Sequence, residues 1–369
     1  MKTKIIFYAL TVLLTVSCHQ DTQRDEPIDL LTVPVEIKED VLDISRIADS
    51  IRYIPLSNDL LLRDVKTLKV DRHGAFYITD SKGDGVFKFD KEGRFVRQIS
   101  SRGQGVEEYF RISDIDLYQD TVYLNTGGNT LLYFDLEGKY LQRKTLKSNT
   151  EFSAVSGDTI YSSTGRSFTT LIGDKENTLT FNSPDCYLGA SHRTHFTRNG
   201  SQIYWEDQFT DTLYTLKNGT LSPYLHVDFK ELALPKDIKI NDDIFMNPKV
   251  DRYCTDAQEF RISDDYITFM FGLAKSVRTC IYDRKKGISC AFQYLKNDID
   301  GFPLIPIVLA VSGKKLYSVT SSSFVAAQYA ALKNSEKEED KRTAGNIEKL
   351  LGKVPDEMDN PVLVEIMCR

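Results

Sequence analysis

The feature that most limits the fold of this chain is an internal repeat. The segment "KFDKEGRFVRQ" (Lys88–Gln98) aligns without a gap with "YFDLEGKYLQR" (Tyr133–Arg143), 45 positions later. An aromatic segment of strand character precedes each copy, "AFYITD" and "TVYLNT" respectively. A repeat of this length made of short strands is typical of the blades of a β-propeller.

The second-strand pattern of the repeat recurs along the whole chain. Its centre is found at Tyr77, Tyr123, Tyr161, Tyr204, Ile267 and Tyr317. Polar turns such as "DKEG", "DLEG" and "DRKKG" separate the third and fourth strands, and each provides a glycine where a positive φ is needed. We therefore predict an all-β fold, a six-bladed β-propeller of four-stranded blades whose strands a to d run from the axis outward.

The sixth blade shows only three strand patterns, "PIVLAVS", "KLYSVTSS" and "NPVLVEIM" (Asn360–Met367). A spare strand, "SIRYIPL" (Ser50–Leu56), precedes blade one. Because an open sheet edge is unfavourable, we expect this N-terminal strand to become the outer strand of blade six and to close the ring.

Two segments within the predicted propeller domain (43–369) do not have blade character. The first, 230–256, is mixed in composition and interrupted by proline. The second, 324–357, is predicted to be a helical insertion in the last blade. Ser335 and Glu338 have the spacing of a capping box, and apolar residues follow at helical intervals up to Pro355.

The first residues predict export. Lys2 and Lys4 precede an apolar run, Ile5–Ser17, that is too short to span a bilayer, and Cys18 follows. This arrangement resembles the bacterial lipoprotein signal, which implies a signal peptide of residues 1–17 and lipidation of Cys18. The alternative is an ordinary secretory signal. We expect residues 18–42 to be a flexible tether, and the protein to be an outer-membrane lipoprotein that faces the periplasm or the surface.

The composition supports a large β-rich domain. The 369-residue chain is 41% hydrophobic and contains 19 Tyr and 20 Phe, a usage that favours strands. Its formal charge of −6 argues against nucleic acid as a partner.

Several landmarks together resemble one family. The segments "IRYIPL", "FDKEGRFV", "RGQGVEEY", "KNDIDGFP" and "DNPVL" are similar to those of the six-bladed β-propeller lipoproteins of Gram-negative anaerobes, distant relatives of the NHL and YWTD propellers. The resemblance extends from Ile51 to Met367. It implies the same fold, but it brings no settled biochemical activity with it.

The glycine-rich segment "SRGQGVEEY" (Ser101–Tyr109) joins blade one to blade two in this scheme. A phosphate-binding loop requires a helix after its glycines, whereas a strand follows here, so the segment does not predict nucleotide binding. Two interpretations stay open. Either the glycines allow a steep connection between blades, with Arg102 and Glu108 as a structural ion pair, or the loop contributes to a binding surface.

The unusual segments share one end of the predicted ring, which we name the loop end. Because neighbouring strands are antiparallel, the b-to-c and d-to-a connections all lie there. The glycine loop, "WEDQ" (Trp205–Gln208), "KNDIDGFP" (Lys296–Pro303) and both insertions are such connections. We predict a ligand or partner site at the loop end, formed by Arg102, Gln104, Trp205, Glu206, Asn297, Asp298 and Asp300. Packing between blades is the alternative for Trp205.

Signals for catalysis and cofactors are weak. No Ser-His-Asp or Cys-His arrangement is found, and the histidines of "HRTH" (His192–His195) would point to opposite sides of an extended segment, so no metal site is predicted. The "NDIDG" oxygens suit Ca²⁺ or a sugar hydroxyl, although turn capping explains them equally well, and no other cofactor is expected.

Cys280 and Cys290 flank a predicted hairpin. They form either a disulfide or two buried free thiols.

The sequence favours a non-enzymatic, membrane-anchored binding or interaction protein of the cell envelope. Its partner would be a glycan, a peptide or an envelope protein, for example in nutrient capture. Two other classes stay open: an envelope lyase or hydrolase with a carboxylate-based site at the same end, and a structural subunit of an outer-membrane assembly. The chain has only five histidines, which disfavours the enzyme.

Overall fold

The computed structural model describes residues 30–81, 85–164, 167–180, 195–217, 219–240, 244 and 247–369. Within these ranges six sheets of four antiparallel strands are arranged in a ring, as predicted from the repeat. The inner strands of neighbouring blades contact each other around the complete circle. The protein is therefore a six-bladed β-propeller with a central channel lined by the a strands.

The strands are numbered in chain order. Before blade one come β1 Leu31–Pro34, β2 Val41–Asp43 and β3 Ala48–Pro55. Blades one to three contain β4 Thr67–Val70, β5 Phe76–Thr79, β6 Val86–Phe89, β7 Phe95–Ile99, β8 Asp114–Tyr118, β9 Thr121–Asn125, β10 Thr130–Asp135, β11 Tyr140–Thr145, β12 Phe152–Ser156, β13 Thr159–Thr164, β14 Ser167–Ile172 and β15 Lys175–Thr180. Blades four to six contain β16 Phe196–Asn199, β17 Gln202–Glu206, β18 Thr212–Lys217, β19 Thr220–Asp228, β20 Thr255–Ile262, β21 Tyr266–Leu273, β22 Ser276–Asp283, β23 Ile288–Phe292, β24 Tyr294–Lys296, β25 Ala310–Ser312, β26 Lys315–Thr320 and β27 Val362–Cys368.

The recurring residues of the b strands build the blade cores, and five of the six are buried. The tyrosine hydroxyls also reach the next blade. Tyr77 donates to the carbonyl oxygen of Leu136 (3.1 Å), and Tyr161 accepts from the amide of Gly219 (3.4 Å). Both partners lie in c-to-d turns. One residue type thus provides apolar packing within a blade and a polar contact between blades.

The N-terminal strand closes the ring as predicted. β3 pairs antiparallel with β27, from Pro55 opposite Val362 to Ala48 opposite Cys368. Ile54 is buried in a core shared by blades six and one. The beginning and the end of the domain are therefore held together in one sheet.

The structure differs from the predicted tether of residues 18–42. β1 pairs parallel with β19 as a fifth strand of blade four, and β2 pairs parallel with β24. Val33 and Leu42 are fully buried. The outer edges of blades four and five offer unpaired backbone groups beside apolar surface, which the alternation in "LTVPV" matches. Part of the predicted tether, from Leu31 onward, is therefore folded onto the propeller, while the signal segment and Cys18 lie outside the described residues.

The insertion in blade six consists of helices α1 (Ser322–Lys333) and α2 (Glu338–Leu351). α2 ends before Pro355 because Gly352 adopts a φ of +73°, the left-handed conformation common after helix ends. α2 packs against β3 and against the loop before blade six, where a Cβ on Gly301 would lie 2.4 Å from Thr343. No helix in the described ranges is long and apolar enough to cross a membrane.

The other insertion keeps its non-blade character where it is described, with short 3₁₀ turns at Lys230–Leu232 and Val250–Arg252. The two hairpin cysteines are free thiols. Cys280 lies opposite Ala291 in the pairing of β22 with β23, which is one position away from Cys290. This offset places the two side chains on opposite faces of the sheet, so they do not meet.

Candidate functional site

The glycine loop between blades one and two is a compact turn built around Glu108. Its carboxylate accepts a hydrogen bond from the amide of Gly105 (2.7 Å), and the amide of Gly103 donates to the carbonyl oxygen of Tyr109 (2.9 Å). A Cβ at Gly103 would lie 2.0 Å from Glu108 Oε2, so any side chain there would push the carboxylate away from this position. The loop is closed by its own contacts, which supports the structural interpretation of the glycines.

Two of the predicted site residues, Arg102 and Gln104, are exposed on this loop. The Arg102 guanidinium lies 5.0 Å from the ring centre of Phe110, whose side chain is 75% exposed. A cation beside an exposed aromatic ring is accessible to a partner. This part of the predicted site stays a candidate.

Three others, Asn297, Asp298 and Asp300, fasten the closing strand. Asp300 accepts hydrogen bonds from the Tyr53 hydroxyl (2.9 Å) and from Asn297 Nδ2 (2.7 Å), and Tyr53 belongs to β3. Asp298 accepts from the amide and the hydroxyl of Ser45, which hold the pKa of its carboxyl below the usual range. The polar atoms of this loop are engaged in joining blade five to the N-terminal segment.

The remaining two, Trp205 and Glu206, lie in the interior. Trp205 is 2% exposed and packs against Phe168, with ring centres 5.3 Å apart. The Glu206 carboxylate accepts from the amides of Glu259 (3.0 Å) and Phe260 (2.9 Å) in β20. β20 is bulged there, and Glu259 has a φ of +59°. Glu206 therefore satisfies amides that the bulge removes from the ladder.

The seven predicted residues thus belong to three separate places and do not form one site. The loop end does have an apolar groove of about 420 Å³ between blades one and six. Leu62, Val65, Ile307 and Met358 contribute to its lining. None of the seven predicted residues contributes to it.

The histidine pair gives no metal site in the part of the chain that is described. His195 is buried with its ring stacked on Phe152, at 4.3 Å between ring centres, and His192 lies outside the described residues. Within the described ranges no three His, Cys, Asp or Glu side chains come together so as to hold a metal ion.

A cavity of about 450 Å³ opens at the opposite end of the channel, which we name the turn end. It is formed by the inner strands and the a-to-b turns of five blades, and its volume is typical of a small-molecule site. The polar lining comprises Lys69, Asp71, Arg72, Asp116, Tyr118, Gln119, Asp120, Thr197, Arg198, Asn199, Arg261, Ser263 and Ser312. The apolar lining includes Leu68, Leu117, Leu136, Ile262, Leu309 and Val311.

The cavity is more positive than the protein as a whole. Its lining has four cations and three carboxylates, a formal charge of +1, in a chain of charge −6. Each arginine of the lining pairs with a carboxylate: Arg198 with Asp116 (2.6 Å), Arg72 with Asp120 (2.9 Å) and Arg261 with Glu259 (2.6 Å). The side-chain amine of Lys69 makes no hydrogen bond or ion pair with any described residue. It is the one lining cation in these ranges without such a partner.

The pair of Asp116 and Arg198 joins three blades beneath the cavity. Arg198 Nη2 lies 2.6 Å from Asp116 Oδ2 and donates to the carbonyl oxygen of Val155 (2.6 Å). The guanidinium also lies over the Tyr118 ring, 4.4 Å from its centre. Both charged side chains are almost completely buried. The charge of Asp116 is therefore already neutralised within the protein.

Lys69 and Asp114 are two titratable groups of the inner strands whose pKa values are shifted. Burial lowers the pKa of the Lys69 amine, an effect that the carboxylates of Asp114 and Asp116 oppose. Burial raises the pKa of Asp114 to about 7, against the opposing effect of Lys69. Two perturbed groups beside a cavity are typical of functional sites. The channel at the turn end is the candidate site.

We expect the Asp114→Asn variant to gain stability over the native protein as the pH rises from about 4 to above 7. The folded-state pKa of about 7 exceeds the ordinary carboxyl value of 3.8, so only the unfolded chain loses this proton in that window. The native free energy of unfolding therefore falls as pH rises, by at most about 4 kcal/mol. Asparagine does not titrate, so the variant does not lose this part of the free energy of unfolding.

Urea unfolding of both proteins at pH 4.5 and pH 8 measures the effect. The exposed Asp237→Asn variant serves as the matched control and should show the same small difference at both pH values. If the gain of Asp114→Asn is also the same at both pH values, Asp114 does not titrate as described.

The sequence does carry a signal for the channel. Charged residues occur within the inner strands themselves, in "VKTLKVD", "SDIDLY", "FTRN" and "QEFRIS". Apart from the b strand of its own blade, an innermost strand borders only the channel and the neighbouring blades. Charges in such a strand therefore predict a polar channel. None of the seven predicted site residues belongs to these inner strands.

A family model described as Domain of unknown function (DUF4934) matches residues 30–366. Among solved structures, a Bacteroides fragilis protein named as a presumed exported protein is 13% identical, with 92% of this chain and 99% of that chain covered and a TM-score of 0.68. A DUF4221 family member from Bacteroides vulgatus is 10% identical, with 87% and 97% covered and a TM-score of 0.51. No curated protein matches. At these identities the structural likeness shows the fold alone.

Proposed function

The chain belongs to the family described as Domain of unknown function (DUF4934). We propose that it is an exported binding protein of the cell envelope whose ligand is a small molecule held in the central channel. The observation that carries this proposal is the cavity of about 450 Å³ at the turn end, whose lining includes Lys69, an amine with no side-chain partner among the described residues. Apolar walls with a few convergent polar groups are the usual composition of a small-molecule site. The closed ring holds these walls rigidly.

Two tryptophan variants test the location of the site. Ser312 is an exposed residue at the rim of the cavity, and Ser323 is an exposed residue that lines the groove at the loop end. Small-molecule fractions prepared from the cell envelope should raise the melting temperature of the mature chain. We expect Ser312→Trp to obstruct the cavity and abolish this increase. Ser323→Trp should leave it unchanged. The reverse result would move the site to the loop end.

We further propose that the lipid on Cys18 anchors the protein to a membrane. The Cys18→Ser variant should be exported but recovered in the soluble fraction, because a lipid chain supplies the apolar contact with the bilayer. Fractionation of cells that produce each form measures this. A variant that still sediments with the membranes would show that something other than lipidation holds the protein there.

A carboxylate-based enzyme in the same channel is the second candidate. The observation in its favour is the pKa of about 7 for Asp114 beside the Lys69 amine, since a general acid–base group works best near the operating pH. Mass spectrometry of a ligand incubated with the protein separates the two functions. Recovery of the ligand unchanged supports the binding protein, whereas conversion that the Asp114→Asn variant abolishes supports the enzyme.

A further inference from the structure

We infer that the ligand of the channel is a small organic acid with an apolar body, and that its carboxylate binds the ammonium group of Lys69. This inference rests on the proposed function of the channel and names the class of its ligand. The first observation behind it is the state of the lining cations. The three arginines already contact carboxylates of the protein, whereas Lys69 contacts none among the described residues.

The surroundings of Lys69 favour an anion over other ligands. A cationic ligand would be repelled by Lys69 and would find Asp116 already paired with Arg198. A neutral ligand would displace water from the half-buried ammonium without supplying a charge-assisted hydrogen bond in return. A carboxylate replaces that water with a charge-assisted hydrogen bond in a site of low dielectric.

The apolar residues of the cavity lining determine the chemical character of the rest of the ligand. The same cavity is lined by Leu68, Leu117, Ile262, Leu309 and Val311. Burial of the ligand's apolar groups against these residues removes apolar surface from water and so favours binding. A ligand with an acidic group and an aliphatic or aromatic body can contact both the Lys69 amine and the apolar residues of the lining.

The charges around Lys69 predict that binding takes up protons. The groups that act on the amine are Asp114 and Asp116 from blade two, Arg198 from blade four and Arg261 from blade five. A bound carboxylate favours the protonated amine and also the protonated form of Asp114, whose pKa is about 7. Affinity for the acid should therefore fall as the pH rises from 6 to 9.

The experiment uses the mature chain with Cys18→Ser and three probes: hexanoate, its neutral isostere hexanamide, and inorganic phosphate. Calorimetric titration at pH 6 should show that hexanoate binds at least tenfold more tightly than either of the other two. The Lys69→Met variant should weaken hexanoate binding at least tenfold. The exposed Lys91→Met variant should leave it unchanged. Methionine replaces a buried amine with an apolar chain of similar length, and circular dichroism checks that the variant folds.

The titration is repeated at pH 9, where hexanoate should bind more weakly than at pH 6. Asp114→Asn should remove the part of this decrease that centres near pH 7. Equal binding of hexanoate and hexanamide, an unchanged affinity in Lys69→Met, or no hexanoate binding at 20 mM would each overturn the inference. If both probes bind equally and Ser312→Trp abolishes both, the channel site stands and only the acid is excluded. If Ser312→Trp leaves binding intact, the channel site itself fails.

Discussion

A chain that begins after Leu56 will not form a stable propeller. This truncation removes β3, so β27 loses its hydrogen-bonded neighbour along seven residues and the core between blades six and one loses Ile54 and Leu56. An open edge of this length also offers a template for pairing with other chains. We expect aggregation, or the loss of a cooperative unfolding transition, in size-exclusion chromatography and thermal denaturation.

Two shorter truncations separate closure from the other N-terminal contacts. A mature chain without residues 19–30 should melt like the intact one, because it keeps β1, β2 and β3. A chain that begins at Ala48 loses β1 and β2 but keeps β3, and it should retain a folded ring of reduced stability. If the chain without β3 melts at the same temperature as the one that begins at Ala48, closure by β3 does not stabilise the propeller.

The second large effect is expected for the Arg198→Met variant. It leaves the buried carboxylate of Asp116 without its partner and removes the donor to Val155. Removal of one member of a buried ion pair destabilises a protein by about 3–5 kcal/mol. Because the pair joins inner strands of three blades, the loss should appear as one cooperative decrease in the free energy of unfolding, measured with urea.

A double variant and a surface variant control this result. Asp116→Asn combined with Arg198→Met removes both charges and should recover part of the lost stability. Arg94→Met breaks an exposed pair with Asp90 and should cost less than about 1 kcal/mol. A loss for Arg198→Met no larger than that for Arg94→Met would mean that the buried pair does not support the channel.

The architecture could be predicted because it is encoded locally. Each blade repeats an aromatic b strand and a polar turn with glycine, and positive φ values at Gly93, Gly138 and Gly287 confirm the role of those glycines. The missing strand of blade six required the N-terminal strand. The strand pairing of β1 and β2 could not be predicted, because both strands add in parallel to blade edges. A parallel pair has no tight turn between its strands, so no turn sequence indicates it.

The candidate site was harder to predict for a different reason. Loop residues such as Asp298 and Glu206 suggest binding by their chemistry, but their atoms satisfy backbone groups of neighbouring segments. The property that distinguishes Lys69 is the lack of a partner among the described residues, which depends on side-chain geometry across several blades. A pattern of charges in the inner strands indicates a polar channel, but it does not show which charge is left for a ligand.

A crystal structure of the mature chain with bound hexanoate tests the central claim most directly. The account predicts electron density in the cavity at the turn end, with a carboxylate oxygen about 3 Å from Lys69 Nζ and the apolar body against Leu117 and Leu309. Density at the loop end instead, in the groove beside Met358 or against Phe110, with nothing bound at Lys69, would contradict it.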